Sequence, residues 1–139
     1  MTTTHTMTKT TIHAASPETV WAFLTESDKL GIWFHEPEAN LASGQPFTMM
    51  SKETEGKKIC WGEVLEWDAP NKLVYSFTVH IVETLSTQVE WQLEEISGGT
   101  KLTLIHTGLP ATSEMMGLAM GLDAGWDKHI GQLREAISA

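Results

Sequence analysis

The segment Gln88-Val89-Glu90-Trp91-Gln92-Leu93-Glu94 constrains this chain more than any other, because every even position is polar and every odd position apolar. Successive side chains of a strand point to opposite faces, so this pattern makes a strand with one wet and one covered side. The covered side needs a roof, and an antiparallel sheet packed against another layer is the simplest arrangement that supplies one.

Neighbouring segments repeat the alternation. Leu102, Leu104 and His106 share a face opposite Lys101, Thr103, Ile105 and Thr107, and Leu73, Tyr75, Phe77 and Val79 oppose Lys72, Ser76, Thr78 and His80. Strands are predicted over Thr6–His13, Pro46–Lys52, Lys58–Trp67, Lys72–His80, Ser86–Ile96 and Thr100–Leu109, with a further short one at Glu38–Leu41. Turn residues separate them: Glu55-Gly56-Lys57, Asp68-Ala69-Pro70-Asn71, the stretch around Glu83 and Thr84, and Ser97-Gly98-Gly99. These short connections favour consecutive antiparallel strands over parallel crossovers.

The helices are signalled by their ends. Ser16-Pro17-Glu18 offers a capping hydroxyl, a proline at the first helical position and an acid at the positive helix end, followed by Val20, Trp21, Phe23 and Leu24 at helical spacing. A shorter helix is expected from Ser27 or Asp28 to about Phe34, stopped by Pro37. After a cap at Thr112 or Ser113, the residues Met115, Ala119, Leu122, Trp126, Ile130, Leu133 and Ile137 form one long apolar stripe. That helix is the predicted roof. Gly117, Gly121 and Gly125 fall four apart in its first half, where a kink or local irregularity is expected.

With 139 residues, 41% of them hydrophobic and 19% charged, the chain supports a single domain with one core, spanning residues 1–139. Six tryptophans against one tyrosine demand a large apolar volume, and a hydrogen-bond acceptor for each buried indole. The net charge of −9 disfavours nucleic acid and anionic membrane surfaces as partners. No stretch approaches the ~18 consecutive apolar residues of a membrane span, and the threonine-rich Met1–Lys9 has no apolar export core. A single cysteine, Cys60, gives no disulfide framework and no multi-cysteine zinc site, which fits a cytoplasmic location.

Motifs for nucleotide binding, an esterase elbow or a catalytic triad are missing, and no cofactor is expected. The cluster His35, Glu36 and Glu38 contains metal-ligand types without metal-ligand spacing, so no metal is expected either. His106 shares the inward face of Leu102 and Leu104, where an imidazole either orients a ligand carbonyl, acts as a general base, or is a structural histidine bonded to a neighbouring carbonyl. His129 follows Trp126 by three residues and lies within reach of the same helix stripe. Glu63 is a second acid–base candidate if it points inward, but the pattern leaves this open: Trp61, Leu65 and Trp67 share its face while Val64 takes the other. The remaining inward candidates are Trp33, Phe47, Met49, Trp61, Tyr75 and Phe77. Trp91, Leu104, Met115 and Trp126 complete the set, which reads either as plain core or as the wall of a ligand pocket.

The order of elements resembles the helix-grip fold of the START-like, or SRPBCC, superfamily. The segment from His13 to Thr25, His-Ala-Ala-Ser-Pro-Glu-Thr-Val-Trp-Ala-Phe-Leu-Thr, is similar to the opening of the family related to the activator of Hsp90 ATPase. So are Trp33-Phe34, Gly62 to Trp67, Leu73 to Phe77, Val89 to Leu93, Gly99 to Gly108 and Gly125 to Ile130, which cover nearly the whole chain in order. The resemblance implies an α+β domain in which a curved antiparallel sheet of about seven strands wraps a long C-terminal helix, with two short helices after strand one and a cavity between sheet and helix. It implies three kinds of activity: binding of a small hydrophobic, lipid-like molecule, stimulation of an Hsp90-type chaperone ATPase with a link to stress response, or cyclase and dehydratase chemistry using His106 or Glu63. A homodimer is compatible with each.

Overall fold

The computed structural model describes residues 4–51, 53–54 and 56–138. The Lys52 end of the predicted third-segment strand and Glu55 of its turn lie outside the described residues, as do Met1 to Thr3 and Ala139. The chain runs β1 (Thr4–His13), α1 (Pro17–Thr25), α2 (Ser27–Trp33), β2 (Glu36–Pro37), β3 (Pro46–Met50), β4 (Lys58–Asp68) and β5 (Lys72–Val79). A 3-10 turn at His80–Val82 leads to β6 (Thr87–Ile96) and β7 (Gly99–Pro110), and a second at Ser113–Met115 leads into α3 (Met116–Ser138). The seven strands form one curved antiparallel sheet in the order β1-β7-β6-β5-β4-β3-β2, with α3 packed across its inner side, as the helix-grip resemblance implies. The short extra strand is Glu36–Pro37 rather than Glu38–Leu41, because Glu36 and Pro37 are the residues that meet Met50 and Met49 across the edge.

The local signals act as expected. The Ser16 hydroxyl accepts the Thr19 backbone N–H at 3.2 Å, with Pro17 at the first helical position. On β6 the alternation is literal: Val89, Trp91 and Leu93 are buried, while Gln88, Gln92 and Glu94 are exposed. Two glycines are required by the sheet. A Cβ on Gly62 would stand 1.8 Å from the Ser76 carbonyl oxygen, so β4 and β5 could not pair with a side chain there. Gly108 takes φ +87°, a left-handed conformation, where the register between β1 and β7 slips.

A bulge at Leu65 resolves the parity of β4. Val64 pairs with Tyr75 and Glu66 with Val74, so Leu65 is the extra residue and Trp67 moves to the inner face beside Leu73. There Trp67 meets Trp21 of α1 edge-on, with ring centroids 5.1 Å apart.

The C-terminal helix runs from Met116 to Ser138 as one element. Its burial is uneven. Trp126, Ile130 and Leu133 are buried, whereas no residue of 116–125 is. A Cβ added at Gly117, Gly121, Gly125 or Gly131 would meet no atom within 4 Å, so these glycines leave space beside the helix rather than admitting a close neighbour. Lys9 on β1 reaches Asp123 at 2.9 Å and Asp127 at 2.8 Å, tying the opposite side of α3 to the sheet.

Candidate functional site

The deep interior is occupied by the chain's own side chains. Trp33, Met49, Trp91, Leu104 and His106 are at most 1% exposed, and Phe47 and Tyr75 are buried beside them. The three most buried indoles each find an acceptor. Trp33 donates to the Phe23 carbonyl at 2.7 Å, Trp91 to the Tyr75 hydroxyl at 3.0 Å, and Trp126 to His106 Nδ1 at 3.0 Å. These residues, predicted as a pocket wall, form the core behind the pocket.

His106 is the centre of a closed hydrogen-bond chain. An indole nitrogen can only donate, so Nδ1 accepts from Trp126, and the neutral ring's single proton sits on Nε2. Nε2 then donates to Thr87 Oγ1 at 2.7 Å, and that hydroxyl donates to the Phe77 carbonyl at 2.8 Å. Burial pushes the histidine's pKa down to about 4, which keeps the ring neutral and both nitrogens engaged. Of the three sequence readings, the geometry matches the structural one, with threonine as the link to a carbonyl.

The open space lies one layer outward, between the first half of α3 and the end of β5. A cavity of about 90 Å³ is lined by Phe34, His35, Ile59, Cys60, Phe77, Val79, Gly121, Leu122, Gly125, Trp126 and His129. A groove of about 390 Å³, lined by Val79, Ile81, Gly117, Leu118, Gly121 and Leu122, shares three of those residues and lies beside the cavity along the helix. The cavity alone is below the ~300 Å³ at which ligand pockets begin, and the groove beside it falls within that range. Phe34 stacks on Trp126 at 5.3 Å and forms the inner wall with Phe77.

Polarity in the cleft is concentrated at one corner. His35 and His129 meet edge-on at 5.2 Å, and His129 Nδ1 donates to the Trp33 backbone carbonyl at 3.2 Å. Burial lowers the His129 pKa and Lys128 lowers it further, against the opposite pull of the Trp33 carbonyl and Gln132. At the floor, burial pushes the Cys60 thiol up to about 12, so the sulfur is an apolar lining group at neutral pH.

Four sequence candidates sit elsewhere. Trp61 pairs with Thr48 and Thr78 on the opposite strand parity from the buried Cys60 and Val64, so it faces away from the interior. Glu63 shares that outer parity and is exposed, its backbone N–H bonded to the Ser76 hydroxyl. Met115 is half-buried in the 3-10 turn before α3 and does not line the cleft, and Leu104 lies in the sealed core. Of the predicted wall, the cleft brings together Phe77 and Trp126. Sequence reasoning missed Phe34, His35, Ile59 and Leu122 as lining residues, and read Gly121 and Gly125 as a helix defect. The usable signal was the four-residue glycine spacing on the side of α3 that also carries Leu122 and Trp126. Among the described residues no group of three His, Cys, Asp or Glu is placed to hold a metal.

Known structures share this architecture. The crystal structure of CalU16 from Micromonospora echinospora superposes with a TM-score of 0.77 at 24% identity, covering 97% of this chain and 77% of that one. The protein MLL2253 from Mesorhizobium loti gives 0.84 at 20% identity, covering 96% and 97%. The Aha1 dimer from Colwellia psychrerythraea gives 0.77 at 18% identity, covering 96% of each. No curated protein matches the chain. The family model described as "Activator of Hsp90 ATPase homolog 1-like protein" matches residues 14–138, and over that span, on this helix-grip scaffold, the chain belongs to that family.

Proposed function

We propose that the protein binds a small hydrophobic molecule in the cleft between α3 and the end of β5. The supporting observation is that the cavity and the apolar groove lie side by side, sharing Val79, Gly121 and Leu122, under a stretch of α3 in which no residue is buried. A ligand there replaces water against Phe34, Phe77, Val79, Leu122 and Trp126, and burying such surface contributes about 25 cal/mol per Å² before the cost of immobilisation. The cleft is at the edge of the fold, so occupation does not require the core around Trp91 and His106 to open. On this reading the protein is a cytoplasmic carrier or sequestering protein, with no cofactor, metal or membrane insertion in its action.

Tryptophan fluorescence titrated with a library of hydrophobic compounds tests this. At least one compound should give a saturable change that disappears in Gly121→Leu, whose side chain projects into the cleft. Saturation unaffected by that substitution counts against the site.

A second reading, action on an Hsp90-type chaperone, draws on the family match. Ile81, Met116 and Met120, exposed by 73%, 45% and 65% beside the groove, supply an apolar contact surface for a protein partner. The neighbour from Colwellia is a dimer, and self-association of this chain is the corresponding proposal. An unchanged ATPase rate of the host chaperone at saturating protein would dismiss the chaperone reading, and sedimentation at micromolar concentration decides the dimer. The third reading, a cyclase or dehydratase using His106 or Glu63, gains no support from a histidine with both nitrogens engaged and a glutamate on the outer face.

A further inference from the structure

We infer that two copies of this chain pair through β1, antiparallel about a two-fold axis at Thr8, so that their two sheets join edge to edge into one. This rests on the self-association proposed above and gives it a surface; it is independent of the cleft. The sheet ends differently at its two sides. One edge is β2, two residues long, with an acid at Glu36 and no N–H at Pro37, devices that keep an edge from pairing. The other is β1, which runs ten residues with neither proline nor acid. Lysine, a common guard of edges, occurs there once, and Asp123 and Asp127 draw Lys9 to the inner side at 2.9 and 2.8 Å. Among the described residues β1 pairs with β7 alone, so its other side presents main-chain donors and acceptors to a further strand.

What this edge presents fits a second copy of itself. Thr4, Thr6, Thr8, Thr10 and Ile12 form its exposed outer row. Residues directly opposite in an antiparallel pair share a face, so an axis at Thr8 sets Thr8 against Thr8, Thr6 against Thr10 and Thr4 against Ile12. Hydroxyl pairs meet at the centre, an exposed isoleucine gains cover at each end, and the two copies of Lys9 stay apart, each opposite Met7. A chain of net charge −9 repels its own kind, but none of its eighteen acids lies in β1, and behind the strand Lys9 and Arg134 offset Asp123 and Asp127. An extended segment of another protein would find the same main-chain bonds but no charge in the outer row to select it. Because β2 is blunted, each copy has one open edge, and pairing closes at two copies rather than growing into a fibre. A seam of two strands is a small interface, which puts its dissociation constant at about 10–100 µM.

Sedimentation of the full chain tests this. The wild-type protein should be monomeric at about 1 µM and largely dimeric at about 500 µM. The Thr6→Lys/Thr10→Lys variant sets lysines face to face across the seam and should weaken dimerisation at least about tenfold, whereas Thr6→Lys/Thr10→Glu makes the same positions opposite-charge pairs and should restore it. Both positions are exposed in the monomer, and near-ultraviolet circular dichroism checks that the variants fold. Thr8→Lys, which faces its own copy at the axis, should repeat the loss and replaces the double-lysine variant if that one is unfolded. A wild-type chain still monomeric at about 500 µM overturns the seam and the self-association together, and leaves the edge to an extended segment of another protein. A dimer that the lysine substitutions do not weaken overturns the seam and leaves the self-association standing. So does a lysine–glutamate variant no tighter than the double-lysine one.

Discussion

The Trp126 indole donates to His106 Nδ1 across 3.0 Å, and this bond fixes the tautomer of a histidine that is fully shielded from solvent. It joins the middle of α3 to β7, and through Thr87 and the Phe77 carbonyl it continues to β6 and β5. The same Trp126 ring turns its other side to the cleft, so the clasp that holds the roof also sets the position of a cleft wall.

Removing the acceptor leaves a buried donor without a partner. His106→Leu should lower stability by about 2 kcal/mol, measured by urea unfolding, since an orphaned buried N–H costs roughly 1–3 kcal/mol. Pairing it with Trp126→Phe removes the orphaned donor, and the double-mutant cycle should show a coupling of about 1 kcal/mol or more. Additive effects would mean that the two side chains do not act as a unit.

The same histidine gives stability a pH dependence of known sign. Its folded pKa of about 4 lies below the ordinary value of 6.5, so between those values the unfolded chain binds more protons. Stability is therefore complete above about pH 6.5 and declines as pH falls toward 4, by on the order of 3 kcal/mol for this group. His13 and His129, also lowered by burial, add in the same direction. Urea midpoints at pH 7 and pH 5 measure the decline, which should be shallower in His106→Leu.

Glycine positions should separate into two classes. Gly62→Ala places a methyl group on the Ser76 carbonyl and should cost about 3 kcal/mol or more, or prevent folding. Gly131→Ala lies in helix with open space around it and should raise stability by about 0.5–1 kcal/mol. Gly121→Ala should stabilise similarly while narrowing the cleft and weakening probe binding. Thermal melts and titrations of the three variants check the pattern.

Cys60 offers a chemical reporter at the cleft floor. Being fully buried, with its pKa raised to about 12, it should react with a thiol reagent at least about a hundredfold more slowly in the native protein than in urea. A cleft ligand should slow native labelling further. Labelling at the unfolded rate would show the cavity to be open to reagents.

The fold was legible because its signals are local. Alternation on β6, the Ser16-Pro17 cap and the Trp126–Ile130–Leu133 stripe each report a period or a terminus that a few residues determine. The bulge at Leu65 was not, because one inserted residue reverses the parity of everything after it, and nothing in Leu65-Glu66-Trp67 marks the insertion. That is why the alternation groups Trp61 with Trp67 and leaves their face open, whereas Trp61 faces out and Trp67 faces in. The site was legible only in part for a different reason. Inward parity identifies core and cavity wall alike, and which inward residues border open space depends on how far α3 stands from the sheet. Phe34 and His35 reach the cleft from the end of α2, a juxtaposition that no spacing along the chain encodes.

The central claim is that a hydrophobic guest occupies the space beside Trp126, between α3 and β5. The six tryptophans give six indole N–H signals in a nitrogen-15 correlation spectrum, with Trp126 at the cleft wall and Trp61 on the outer face. Titration with a bound probe should move the Trp126 indole signal saturably and leave that of Trp61 in place. Saturable movement of Trp61 with Trp126 unmoved would contradict the account.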